Sequence, residues 1–218
     1  MIRQDYLMRL AQRLAQALAQ VLFYKGRQEY DRAEAEIDAA LTECFGLERG
    51  ALPDFEELLN VCARESAALP DNLVRLADIF REKGEIQRLR GDGEAAGQTE
   101  ALALGLFLEV LQRNVVSMEL IQKTDQLIER VSGVRLPTPV VKRLLSYYEA
   151  RGMFDRAEDV LYEWLDTKDV DVPESGIAFY ERLSAKSDDD LTAGGLSREE
   201  VEQGRAEWLR VSNNSSNQ

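Results

Sequence analysis

Tyr30-Asp31-Arg32-Ala33-Glu34 returns 124 residues later as Phe154-Asp155-Arg156-Ala157-Glu158, each time shortly after a glycine, Gly26 or Gly152. An aromatic at the start of a helix plugs the end of a helical hairpin, and an alanine one turn on lets the two helices approach closely. Two such stretches predict two antiparallel helix pairs and set the fold class as all-α.

Upstream of the first copy, Leu7, Leu10, Leu14, Leu18, Val21 and Leu22 fall on one stripe, which predicts a helix over 2–24. Ala33, Ile37, Ala40, Leu41 and Cys44 carry the second helix over 29–45. Pro53-Asp54 and Pro70-Asp71 open two more, because a first turn has no use for the N–H that proline lacks. Gly91-Asp92-Gly93 separates the fourth helix from a fifth over 94–113, and Ser117 caps a sixth. Thr138-Pro139 starts a seventh that ends at Gly152, an eighth covers 154–167, and Pro173 begins a ninth that ends near Ala185. Ser197-Arg198-Glu199-Glu200 reads as a capping box, so a tenth helix follows to Arg210. The expected organisation is about ten helices: a helical domain over 1–185, an acidic loop and capping helix over 186–211, and a disordered tail over 212–218.

Composition narrows the chemistry. Histidine is absent, which removes the usual proton shuttle and the commonest metal ligand. Cys44 and Cys62 lie on apolar stripes at no metal-binding or redox spacing, so they read as buried thiols of a reducing cytoplasm. No catalytic site, cofactor motif or phosphate-cradling loop is legible, and the expectation is a non-enzymatic protein. The chain has no run of about 18 apolar residues and no leader-like N-terminus, so neither export nor membrane insertion is expected. Of the net charge of −13, residues 1–27 carry +4 and the remainder −17, and so acidic a body repels nucleic acid.

The C-terminal copy resembles a tetratricopeptide repeat, with Leu144 and Tyr148 at its first-helix positions, Gly152 at its turn, and Phe154, Ala157 and Leu161 along its second helix. Leu145 and Trp164 depart from that pattern, standing where the family has small residues. In the N-terminal copy Leu18 and Ala19 fit, with a turn two residues longer, and the helices flanking Gly91-Asp92-Gly93 form a degenerate third copy. Because 124 is not a multiple of 34, the array is irregular. The order of elements and the opening Asp5-Tyr6-Leu7-Met8-Arg9 resemble an uncharacterised bacterial domain family of tetratricopeptide-like architecture.

The resemblance implies an interaction module whose first helices line a groove for a peptide or a partner protein. It places Lys142, Ser146 and Glu149 on that groove, with Arg13, Gln16 and Gln20 as their counterparts in the first unit. Ser146 stands where a carboxylate-clamping repeat has asparagine. One alternative is a self-assembling protein that dimerises through Leu- and Arg-bearing helix faces. Another is a calcium-responsive regulator, since Asp188, Asp190, Thr192 and Glu199 stand at loop positions one, three, five and twelve of an EF-hand, although Ala193 replaces its turn glycine.

Overall fold

The computed structural model describes the backbone of residues 2–64, 69–167 and 169–215, with side chains throughout except at 2–6, 64 and 211–215. Among the described residues there are eleven helices and no strand. The chain divides into two compact units, Met1–Val140 and Val141–Gln218.

The first unit contains α1 (Ile2–Gly26), α2 (Tyr30–Phe45), α3 (Phe55–Arg64), α4 (Pro70–Leu89), α5 (Gly93–Gln112) and α6 (Met118–Arg130). Helix α4 is its axis, packing against α1, α2 and α5, while α6 packs on α5. The sequence prepares α4 and α5 for that position by making them apolar on more than one face: Leu73, Leu76, Ile79, Phe80 and Ile86 are buried on α4, and Leu104, Leu106, Phe107 and Leu108 on α5. Glycines set how closely neighbours approach. Gly97 admits Val134 and Gly105 receives the Phe55 ring of α3, in both cases into space that a methyl group would fill. On α1 the buried stripe is Leu10, Leu14, Ala17 and Val21, whereas Leu22, expected on it, remains 46 % exposed.

The second unit contains most of α7 (Thr138–Ala150), then α8 (Phe154–Leu165), α9 (Val172–Ser184), α10 (Asp188–Ala193) and α11 (Arg198–Ser215). Helix α9 packs on α8 and α11. Its seam with α11 is a reciprocal exchange. Gly176 of α9 lies flat under the Trp208 ring of α11, and Gly204 of α11 lies under the Tyr180 ring of α9, where a Cβ would stand 2.5 Å from the ring. Both rings are almost completely buried.

Helix α10 forms where an acidic loop was expected. The Ser187 hydroxyl accepts from the Asp190 N–H at 3.1 Å, and three aspartates in the first turn face the positive end of the helix dipole. Its end docks on the α7–α8 turn, where the Gly194 carbonyl accepts from the N–H groups of Phe154 and Asp155 at 2.9 and 3.1 Å. The expected capping box is present: Glu200 N–H donates to Ser197 Oγ at 3.2 Å and Ser197 N–H to Glu200 Oε2 at 2.7 Å. Helix α11 continues to Ser215, so the polar stretch from Ser212 is helical that far, and 216–218 lie outside the described residues.

Three hairpins, α1–α2, α4–α5 and α7–α8, close with one turn. Each has a left-handed residue, Gln28 (φ 61°), Gly91 (φ 87°) or Gly152 (φ 68°), whose N–H donates to the carbonyl three residues back. In each the next N–H donates to the carbonyl five residues back, and five residues past the left-handed position stands a fully buried alanine, Ala33, Ala96 or Ala157. The intervals are 63 and 61 residues. The unit that repeats is therefore a hairpin plus a connecting helix, and 124 residues is two such periods. The fully buried Ala33 and the buried Phe154 and Ala157 close their hairpins as the sequence implied, with Tyr30 half-buried.

Gln28 occupies a conformation that glycine adopts without penalty. Gln28→Gly is expected to raise stability by on the order of 0.5–1 kcal/mol, and Gly152→Ala to lower it by about 1 kcal/mol. Urea denaturation of the two variants measures this, and a destabilised Gln28→Gly would break the equivalence of the turns.

Candidate functional site

The shared turn fixes which residues correspond along the first helices. Gly26 belongs to α1, and the position of Gly152 is taken by Gln28. The first-hairpin counterparts of Lys142, Ser146 and Glu149 are accordingly Leu18, Leu22 and Lys25, not Arg13, Gln16 and Gln20, and in the middle hairpin they are Arg81, Glu85 and Arg88. The expected trio stands five, six and five residues short of these α1 positions, displacements that at about 100° per residue put each on another face of the helix.

In the first unit the expected residues separate. Arg13 faces α2, its guanidinium 2.7 Å from Glu36 and 2.6 Å from Glu43, while Gln16 and Gln20 are exposed on another face of α1. In the second unit Lys142, Ser146 and Glu149 line one edge of α7 and are met by α9 and the residue before it. Lys142 pairs with Asp171 at 2.7 Å and Glu149 accepts from Arg182 at 2.6 and 2.8 Å, with exposed Ser146 between them donating to the Lys142 carbonyl. Both pairs are partly solvated, so each holds geometry more than it adds stability.

The strip on α4 belongs to an extended charge chain. Lys123 of α6 bridges Glu119 and Asp78, both at 3.0 Å, and Arg81 reaches Asp78 at 3.4 Å and Glu82 at 2.9 Å. Lys25 of α1 pairs with Glu82 and lies 3.2 Å from Glu85, which is 3.9 Å from Arg130. Arg130 and Arg88 together hold Glu100 of α5, Arg88 at 2.6 Å. Five positive and five negative groups alternate along this chain.

Glu100 is the residue that the sequence pattern does not anticipate. It is fully buried, at the position where the other hairpins bury Ile37 and Leu161. Opposite it on α4 stands Gly84, where the others have Val21 and Leu145. The two changes are complementary: a Cβ on Gly84 would lie 2.5 Å from Glu100 Cγ, so the missing side chain is the space that the carboxylate's stem occupies. The outer hairpins show that the fold accepts two apolar residues here, and the middle one has a buried anion clamped by two arginines.

A different polar cluster joins α8, α9 and α11. Tyr180 donates to Glu158 at 2.6 Å, and burial together with the nearby Glu200, Asp159 and Asp155 pushes the Glu158 carboxyl above its usual range despite that hydrogen bond. Burial also raises the Tyr180 phenol. The residues at EF-hand spacing do not form a loop: Asp188 pairs with Arg198 at 2.8 Å, Asp190 with the Ser187 hydroxyl, and Glu199 with Gln203. Among the described residues no three acidic or thiol groups gather around a common point. Cys44 and Cys62 are buried thiols, pushed up to about 11 and about 12 by desolvation, and no helix is long and apolar enough to cross a membrane.

One surface was not foreseen. Ile79, Lys83 and Ile86 form the stripe of α4 that faces α1 and α2, with Lys83 3.3 Å from Asp38. The same turn-relative positions of α7, Val140, Leu144 and Tyr147, are also buried. On α1 they are Gln16, Gln20 and Phe23, and all three are exposed, Phe23 by 59 %. The first hairpin thus presents, uncovered, the face that the second uses to stack.

Residues 1–211 match the model of a family of unknown function, DUF6483, and the chain belongs to that family. No curated protein and no solved structure matches it.

Two outcomes follow from Glu100 and Glu158. Gly84→Val and Glu100→Ile are each expected to cost about 2–4 kcal/mol, while the double variant, which imports the Val21/Ile37 pair, recovers about 1–3 kcal/mol of their sum. A double-mutant cycle by denaturation measures the coupling, and additive losses would refute it. Glu158, whose folded pKa is raised, contributes stability that is fully present below the unfolded value and lost as pH rises through the folded one. Glu158→Gln, which keeps the acceptor for Tyr180, is expected to melt higher than the parent at about pH 7, with the gap closing towards about pH 4. Thermal melts across that range test the sign.

Proposed function

We propose that this member of the family is a non-enzymatic protein-interaction module of the cytoplasm, a tetratricopeptide-like array of bacterial type with an extended period, whose docking surface is the open face of α1. One observation carries the reading. Gln16, Gln20 and Phe23 are exposed although their equivalents in both later hairpins are buried. Stacked helical hairpins bury such faces against a neighbour, and a terminal unit that leaves one open either caps it with polar groups or reserves it for a partner. Here the face is apolar at its ends, with Met8, Leu22 and Phe23 uncovered, and amide-bearing in its middle. From Gln12 to Phe23 its exposed positions carry no charge, the exposed Arg9 lying one turn before them, and depletion of charge marks the core of a protein interface. The non-enzymatic part of the reading is supported by the charge chain along α4, in which each named carboxylate is already held by a lysine or arginine. The cytoplasm is supported by two buried thiols left unpaired.

The groove expected along α7 is the weaker surface, because Lys142 and Glu149 are engaged by Asp171 and Arg182. The two surfaces are separable by capture experiments with the full chain as bait. Phe23→Glu is expected to reduce capture of interacting protein at least tenfold, a loss of about 1.4 kcal/mol or more, while Lys142→Ala/Glu149→Ala retains it. Capture that survives Phe23→Glu and fails in the α7 double variant would move the site to α7.

A further inference from the structure

Resting on the reading of α1 as a docking face, we infer that its occupant is a second copy of this chain, paired helix to helix across a two-fold axis with the two α1 helices antiparallel. The face continues an interface already present in the molecule, since the equivalent stripe on α4 is covered by a helical hairpin, α1–α2. What fits such a stripe is another helix lying along it. The first unit uses its hairpin's other side for α4, and a second copy offers the same open face, so that two such faces meeting about a two-fold axis make an isologous contact.

The residues suit that symmetry. Between Gln12 and Phe23 the exposed positions are Gln12, Ala15, Gln16, Ala19, Gln20, Leu22 and Phe23, and the one ionised side chain in the span, Arg13, is turned to Glu36 and Glu43. A chain of net charge −13 repels its own copies, and this is a surface on which two of them can meet without burying like charges. An amide both donates and accepts, so glutamines can bond to glutamines across a two-fold axis where carboxylates cannot. With the axis near the middle of the span, Gln16 lies over Ala19 of the second copy, Gln20 over its Ala15, and Phe23 over its Gln12. Long side chains then meet short ones, and antiparallel alignment sets opposite ends of the two helix dipoles side by side.

The span from Gln12 to Phe23 is about 17 Å of helix, a contact at the small end of specific interfaces. The dimer is therefore expected to be reversible, with a dissociation constant on the order of micromolar. Because copies of equal charge repel, added salt tightens it, whereas a partner of opposite charge would bind more weakly as salt rises.

Sedimentation equilibrium of the full chain from about 1 to 200 μM tests this. The wild type is expected to move from the 24.7 kDa chain towards twice that mass, and to do so at lower concentration when salt rises from about 50 to 300 mM. Ala19→Arg and Phe23→Glu are expected to hold the mass at one chain with an unchanged melting curve, because both side chains are exposed. Met118→Glu, equally exposed but on α6, keeps the dimer. A wild type that stays monomeric throughout, or a dimer that survives both α1 variants, overturns the inference. If the wild type is monomeric and Phe23→Glu still abolishes capture of another protein, the second copy is excluded and the docking face stands. If Phe23→Glu alters neither mass nor capture, both fall.

Discussion

The architecture depends on closing two long helices with a three-residue link, and that requires one residue in the left-handed region. A short link forces the helices side by side, and side by side they can touch only where a small residue faces the partner. The left-handed position and the buried alanine five residues later are thus two parts of one constraint. It is met at Gln28 and Ala33, at Gly91 and Ala96, and at Gly152 and Ala157, with the same hydrogen bonds each time. Everything else, including which stripe of a first helix meets its neighbour, is counted from that turn.

Counting from it also explains the middle hairpin. A core built to one plan three times gives its own control, and against that control the Gly84–Glu100 pair stands out as an exchange of apolar volume for a clamped carboxylate. Replacing such a buried ion pair by well-packed hydrophobic residues is often neutral or stabilising, so stability alone does not account for it. Its effect is positional: Glu100 ties α5 to both α4 and α6 through directional bonds, which apolar contacts cannot do. The middle hairpin thereby gains a defined register between α5 and the two helices beside it, through a buried group where the other hairpins have apolar residues.

Much of this was legible in the residues. Helix number and order follow from apolar periodicity and from caps such as Ser117 and Ser197, whose hydrogen bonds are present. The recurrence of an aromatic and an alanine located two of the three hairpins. What misled was the glycine. Gly26 looks like the counterpart of Gly152, yet the left-handed residue is Gln28, a side chain that gives no sign of the conformation it adopts. Arg13, Gln16 and Gln20 stand five or six residues short of the positions equivalent by the turn, and taking Gly26 as the counterpart hid the 63- and 61-residue intervals that Gly91, a true equivalent, reveals. Helix α10 was missed because six residues are too few to show a period, although Ser187 and three aspartates supply a start signal. Exposure of the α1 face could not be read at all, since it depends on what stacks against a helix and not on the helix itself.

The crossed glycines and rings of α9 and α11 have a consequence for how such a chain can change over time. Gly176 cannot gain a methyl group while Trp208 remains, nor Gly204 while Tyr180 remains. Each ring in turn fills the trough its glycine leaves, and shrinking it would open a void where the two helices touch. Drift at any of these four sites is therefore a two-step passage through a poorer intermediate. The four positions are thus expected to covary as two linked pairs, a signature distinct from that of an ordinary apolar seam.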